Sequence, residues 1–429
     1  MTDPVAAADG EWTRLSPLSP ILRGGRFLTA AGAVLVQQGV RQPSLGLLAA
    51  VLAVGTVLAV LVGAVSWWTT RYRLTATELQ VDSGVLRRRS RRVPLARLQS
   101  VDVVRPLVAR VLGLAALRLE VVGGGDTEAP LSYLSEADAL TLRVRLLARA
   151  SGSTAEADEA QEAVLVRVPS GVLVASVLLG APAVTTVLLA VLLVVATLVG
   201  HAALPAVLGT AGPVALGTAS VALRRVLAEY GFTVAESPDG LRLRHGLLET
   251  RAQTIPPGRV QAVRTTQPLL WRPRGWVRVE VDVAGYAGGR GEDRAATSAL
   301  LPVAPEELAA RLVERVLGAP LPPVGPPPPR AARLRVPLAH RRLRVGLDDR
   351  HLVATSGALT TTTDVVPLAR VAGLRLTAGP WARRLGLASV SADTAGRHLR
   401  GATAAHRGRD EAAALLEDLA GRARAAHRR

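Results

Sequence analysis

The chain of 429 residues is long enough for about three domains of ~100–200 residues, and its 52 basic against 34 acidic residues leave a formal net charge of +18. It has no cysteine, which excludes disulfides and thiolate chemistry. Aromatic residues make up only 3%, and no nucleic-acid motif accompanies the charge, so the basic balance does not indicate a nucleic-acid partner.

Residues 1–25 are short and polar and carry no small-residue cleavage site, so no removable signal peptide is expected. In residues 26–69, Phe27 to Val40 is apolar but interrupted by Gln37 and Gln38. Leu45 to Trp68 is uncharged and nearly all apolar, and it ends on Trp67 and Trp68. About 20 apolar residues suffice to cross a bilayer, so the segment is read as a first transmembrane hairpin. Residues 151–167 form an acidic linker. Residues 168–223 carry no Asp, Glu, Arg or Lys and are read as a second hairpin, broken near His201. Arginines flank both hairpins at their outer ends, including Arg71, Arg73, Arg167, Arg224 and Arg225. By the positive-inside rule this implies a multi-pass cell-membrane protein with both termini cytoplasmic.

Between and after these stretches one pattern occurs three times. Leu79, Gly84, Pro94, Arg97, Arg110 and Gly113 return as Leu241, Gly246, Pro256, Arg259, Arg272 and Gly275. They return again as Leu352, Gly357, Pro367, Arg370, Arg383 and Gly386, at identical intervals. A repeat this long is a whole small domain. The copies occupy residues 70–150, 224–318 and 331–429, with a proline-rich linker at 319–330. Each opens on alternating apolar runs that read as half-buried strands. The glycine of the second position reads as a hairpin turn, and the proline belongs at a strand start or edge. Each copy closes on a helical signal: Ser135-Glu136-Ala137-Asp138, then Ala304-Pro305-Glu306-Glu307, then Asp410-Glu411.

The runs Arg71-Tyr72-Arg73-Leu74-Thr75, Ser83-Gly84-Val85-Leu86 and Val93-Pro94-Leu95-Ala96-Arg97-Leu98-Gln99-Ser100-Val101 resemble the bacterial pleckstrin-homology (PH)-like domain of membrane proteins. The layout, with Arg14-Leu15-Ser16-Pro17-Leu18-Ser19-Pro20 near its start, resembles the YdbT-like family over nearly the whole chain. The resemblance is weaker in copy three, where Leu359-Thr360-Thr361-Thr362-Thr363 replaces the basic segment. It implies membrane α-helical hairpins plus three α+β PH-like domains, each a small antiparallel barrel or sandwich with a C-terminal helix. It also implies a role in envelope stress or resistance, and a hetero-complex with a smaller PH-like membrane protein or a homo-oligomer.

Catalysis finds little support. The seven histidines lack zinc-ligand spacing, and Gly123-Gly124-Gly125 and Gly288-Gly289 fall between strands and not at a helix start. No enzymatic activity, metal or cofactor is expected. The densest charge is Arg87, Arg88, Arg89, Arg91 and Arg92, which with Arg71 and Arg73 forms a candidate anionic-lipid patch. The alternative for that patch is an ordinary juxtamembrane charge. The shared Gly84, Pro94, Arg97, Gly113, Gly246, Pro256, Arg259, Gly275, Gly357, Pro367, Arg370 and Gly386 are read as structural, with the arginines satisfying loop carbonyls. The reading is a non-catalytic, membrane-held interaction or assembly module. Its alternative is a lipid-sensing or lipid-handling protein that binds anionic headgroups through the copy-one arginines.

Overall fold

The computed structural model describes residues 11–14, 16, 45–84, 89–121, 131–151, 163–199, 204–237, 240–256, 258–283, 298–395, 399 and 401–428. Most of residues 1–25, Phe27 to Val40, Arg87, Arg88, residues 152–162, both glycine runs, His201 and His398 lie outside them. In chain order β1 (Thr13–Arg14) and α1 (Leu45–Thr69) precede the first copy, which holds β2 (Arg71–Leu74), β3 (Glu78–Ser83), β4 (Arg89–Pro94), β5 (Leu98–Pro106), α2 (Leu107–Val111), β6 (Leu114–Val121), β7 (Leu131–Ser135) and α3 (Glu136–Ser151). Next come β8 (Ala163–Arg167), α4 (Ser170–Leu178), α5 (Ala181–Val199) and α6 (Leu204–Glu229), which leads into the second copy with β9 (Thr233–Ser237), β10 (Gly240–His245), β11 (Glu249–Ile255), β12 (Val260–Pro268), β13 (Trp276–Val283), β14 (Ala299–Pro305) and α7 (Glu306–Leu317). The third holds β15 (Arg344–Leu347), β16 (His351–Ser356), β17 (Thr360–Pro367), β18 (Val371–Thr377), α8 (Pro380–Arg384), β19 (Leu387–Thr394), β20 (Ala402–Gly408) and α9 (Arg409–His427).

The chain divides into two compact units. The first comprises residues 1–160 with 248–254; the second comprises 161–247 with 255–429. In the first, β1 to β4 form an antiparallel sheet in sequence order, and β7, β6 and β5 continue antiparallel onto β11. Tyr72, Leu79, Val93, Val101, Leu117, Leu119 and Leu134 project between the sheets, and Leu142 and Leu146 of α3 close over them. Alternation along each strand sends these residues inward and their neighbours outward. The second unit contains the antiparallel sheet β14–β13–β12–β17–β16–β15 and the three-stranded sheet β18–β19–β20. One of its cores gathers Phe232, Leu243, Trp271, Val279 and Leu312. Another gathers Leu352, Val366, Leu368, Val390 and Leu419 of α9.

The copies repeat in fine detail. The first strand of each second sheet carries a bulge at the same point: between Leu98 and Ser100, Val260 and Ala262, and Val371 and Gly373. The last helix of each copy is tied to the same glycine carbonyl. Glu136 N donates to Gly113 O at 3.0 Å, Glu306 N to Gly275 O at 2.9 Å, and Arg409 N to Gly386 O at 2.9 Å. The proline-rich linker is docked, not free: Gly325 N donates to Val345 O of β15 at 2.8 Å, and buried Arg407 donates to Pro326 O at 3.0 Å.

The two membrane hairpins are corrected. The stretch 168–223 is three helices, not two long arms. The nine-residue α4 ends before Gly180, and α5 begins with Pro182 at its second position. The third, α6, contains Pro213 and runs on through Arg224 and Arg225 to Glu229. Helix α1 has 25 residues, and the arm expected to pair with it lies outside the described residues. Among the described residues no helix is long and apolar enough to cross a membrane, so the membrane-hairpin fold class and the multi-pass cell-membrane placement do not stand. The cytoplasmic assignment of termini and repeats, which followed from them, falls with them. Helices α1 and α5 do expose apolar side chains, including Val54, Val57 and Leu61, and Val187, Leu188 and Val191.

Candidate functional site

The arginine patch is built on the β2–β3–β4 sheet. Antiparallel register sets Arg73 opposite Gln80 and Gln80 opposite Arg92; it also sets Arg71 opposite Asp82. Directly paired residues share a face, so Arg71, Arg73 and Arg92 lie together on the side away from the core. Trp12, carried in beside β1, covers two of them: the guanidinium carbons of Arg71 and Arg73 sit 4.4 and 4.8 Å from its ring centroid. Arg73 Nη2 donates to Gln80 Oε1 at 2.6 Å, and Arg71 Nη2 lies 3.5 Å from Asp82 Oδ2. Arg91 pairs with Val81 and therefore points to the other face. Arg89 opens β4 opposite Ser83. The patch read as one run in the sequence is thus divided by strand alternation, and its β2 arginines already have protein partners.

The shared repeat residues sit at turns and sheet crossings. Gly84, Gly246 and Gly357 have φ of 100°, 107° and 95°. Gly113, Gly275 and Gly386 have φ of 68°, 60° and 66°. At Gly357 a Cβ would lie 1.9 Å from Thr360 O, which admits no side chain. Pro94 and Pro367 are the last residues of β4 and β17 and cap short 3₁₀ turns that end on Arg97 and Arg370. Pro256 follows β11 directly. Arg370 donates to the carbonyl of Gly258. Arg97 and Arg259 are exposed.

Sequence reasoning missed the role of the fifth shared position and of the strands it reaches. In unit one, β11 lies on β5 with Glu249 opposite Pro106, Thr250 opposite Arg105 and Ala252 opposite Val103. In unit two, β17 lies on β12 with Thr360 opposite Pro268, Thr361 opposite Gln267 and Thr363 opposite Thr265. Counted from the shared positions, the two registers are the same. The arginine of the Arg-x-x-Gly turn reaches the added strand in both: Arg110 donates to Thr250 Oγ1 at 3.3 Å and Arg272 to Thr361 Oγ1 at 3.0 Å. Arg272 also donates to Ala358 O at 2.8 Å and Leu359 O at 3.1 Å. At the second junction Arg264 grips Asp364 with two bonds, Nε to Oδ1 at 2.5 Å and Nη2 to Oδ2 at 3.2 Å. Burial raises the Asp364 carboxyl above its ordinary pKa despite this pairing, while the hydrogen bond that Arg264 donates to Asp364 raises that of Arg264. The signal available in sequence was the exact recurrence of Arg110, Arg272 and Arg383 together with Thr250 and Thr361.

A second buried polar cluster joins α6 to β13. Arg278 Nη1 donates to Glu229 Oε1 at 2.5 Å and Arg278 Nε to Glu280 Oε1 at 2.9 Å, while Arg225 Nε donates to Glu229 Oε2 at 3.1 Å. Burial alone would push the Glu229 carboxyl up, but the two guanidiniums together hold it below its usual range. Every charge has a partner, so the cluster reads as a tether and not as a reactive centre. Among the described residues no group of three or more His, Cys, Asp or Glu could hold a metal ion.

Paired sheets closed by a C-terminal helix, three times over, agree with what family comparison finds. A family model for the bacterial PH domain matches residues 26–150, 164–319 and 331–423. The chain belongs to the bacterial PH domain family. No curated protein and no solved structure matches it. In the PH family's terms, the strand junctions join successive PH-like copies, and the arginine face lies on the first sheet of copy one.

Proposed function

We propose that this bacterial PH domain chain is a non-catalytic interaction module, in which copies one and two each accept a strand from the next copy and the remaining faces and edges are offered to partners. The observation that supports it most is the one register used twice, at β5–β11 and at β12–β17. Strand addition gives affinity through main-chain bonds and specificity through side-chain contacts, and the two junctions have both. The multi-copy layout is the part of the YdbT-like resemblance that this reading keeps. The test is affinity purification of the full chain in mild detergent, with mass spectrometry of co-eluting proteins and lipids. A stoichiometric protein partner supports the module.

One observation favours a second reading. Arg71, Arg73 and Arg92 share an outer face with Trp12, as a headgroup-binding surface would need. Each arginine near an anionic surface contributes about 1 kcal/mol, screened within a Debye length. Enrichment of one anionic lipid class without a protein partner, lost when Arg71, Arg73 and Arg92 are changed to Ser, would establish this reading in place of the first.

A further inference from the structure

Strand β18 occupies in copy three the place that β5 and β12 occupy in copies one and two, down to the shared bulge. Both β5 and β12 carry a strand on their outer edge; among the described residues β18 is the edge strand of its sheet. The exposures follow. The Arg375 side chain is 68% exposed, against 31% for Arg264 at the equivalent position of β12. Leu376 is 44% exposed, against 3% for Val103 at the equivalent position of β5. Copy three nevertheless keeps the groups that grip an added strand. Arg375 stands where Arg264 binds Asp364, and Arg383 stands where Arg272 binds Thr361 and the carbonyls of Ala358 and Leu359. Arg375 rests meanwhile on Asp393 of the neighbouring strand at 2.9 Å, in an exposed and therefore weak ion pair.

We propose that the β18 edge is a docking site for an extended strand of another protein. The strand carries a hydroxyl residue and, three positions later, an acidic one, and it enters antiparallel in the register by which Thr361 and Asp364 lie on β12. This rests on the interaction-module reading and names the partner's chemistry. A second copy of this chain does not fit. Among the described residues, the only last strand of a first sheet not already added to a second sheet is β4, where Arg91 holds the position of Asp364. Arg91 would face Arg375, and like charges directly opposite destabilise a strand pair.

The test uses the purified full chain in mild detergent and a fluorescent peptide with the sequence of residues 358–367, read by anisotropy and light scattering. The expected result is saturable binding that falls by about tenfold with Arg375→Glu, equivalent to ~1.4 kcal/mol. A peptide with Arg in place of its aspartate should bind the Arg375→Glu chain better than it binds the unaltered one. If Arg264→Glu weakens binding and Arg375→Glu does not, the peptide has displaced β17 and the β18 site is overturned. No saturable binding, or concentration-dependent head-to-tail polymers of the chain, overturns it too. The module reading is judged separately. A co-purified partner retained equally by the Arg375→Glu chain sinks β18 and leaves the module, whereas binding of the peptide with no stoichiometric partner does the reverse.

Discussion

Gly357 shows how much of a copy can depend on one backbone angle. Its φ of 95° is open only to glycine, and the carbonyl of Thr360 fills the space a side chain would need. Gly357→Ala should therefore cost about 1–3 kcal/mol, read as a lower urea midpoint with an unchanged slope. His351 offers a titration. It is 2% exposed, and burial lowers its pKa below 6.5 even though Asp348 lies nearby. The unfolded chain then binds the proton first as the pH falls. Stability is undiminished above about 6.5 and is lost as the pH drops through 6.5 toward the folded value. His406 is lowered in the same sense, so His351→Gln should flatten only part of the fall in melting temperature between pH 7 and pH 5.

At the scale of elements, the fork from Arg264 to Asp364 holds β17 on β12. Either Arg264→Ala or Asp364→Asn leaves a half-buried charge without its partner and should cost about 2–4 kcal/mol; a double-mutant cycle should recover a coupling of about 1–3 kcal/mol. This contact was not legible from the chain. Asp364 ends a threonine-rich stretch that stood out only for lacking the basic residues of copy one, and its partner lies 100 residues earlier. The recurrent spacing was legible, because a fixed interval between glycine, proline and arginine survives when the residues between them change. The family likeness was legible for the same reason. The three helices of residues 168–223 are hidden in the sequence because the absence of charge masks the breaks at Gly180 and Pro182, which mark a helix start, and the proline at Pro213. The arginine run looks like a single surface in the sequence because a string of like residues hides the alternation that sends Arg91 and Arg92 to opposite faces.

At the scale of the molecule, the copies are not independent beads. Copy two's first sheet supplies β11 to copy one, and copy three's supplies β17 to copy two. Hydrogen exchange should register this directly. The outward amides of β12 should be protected to a free energy close to that of global unfolding, while the equivalent amides of β18 exchange through small local openings. Equal protection of the two strands would show that β18 is already covered.

The shared register also sets an order of events at the ribosome. When Pro268 completes β12, the strand that will cover it is not finished until Pro367, about 100 residues later. At ~5–20 residues per second, that edge stays bare for roughly 5–20 s. Copy two therefore waits for copy three, as copy one has waited for copy two. A nascent chain stalled between them would present a sticky unfinished sheet to whatever chaperone attends it.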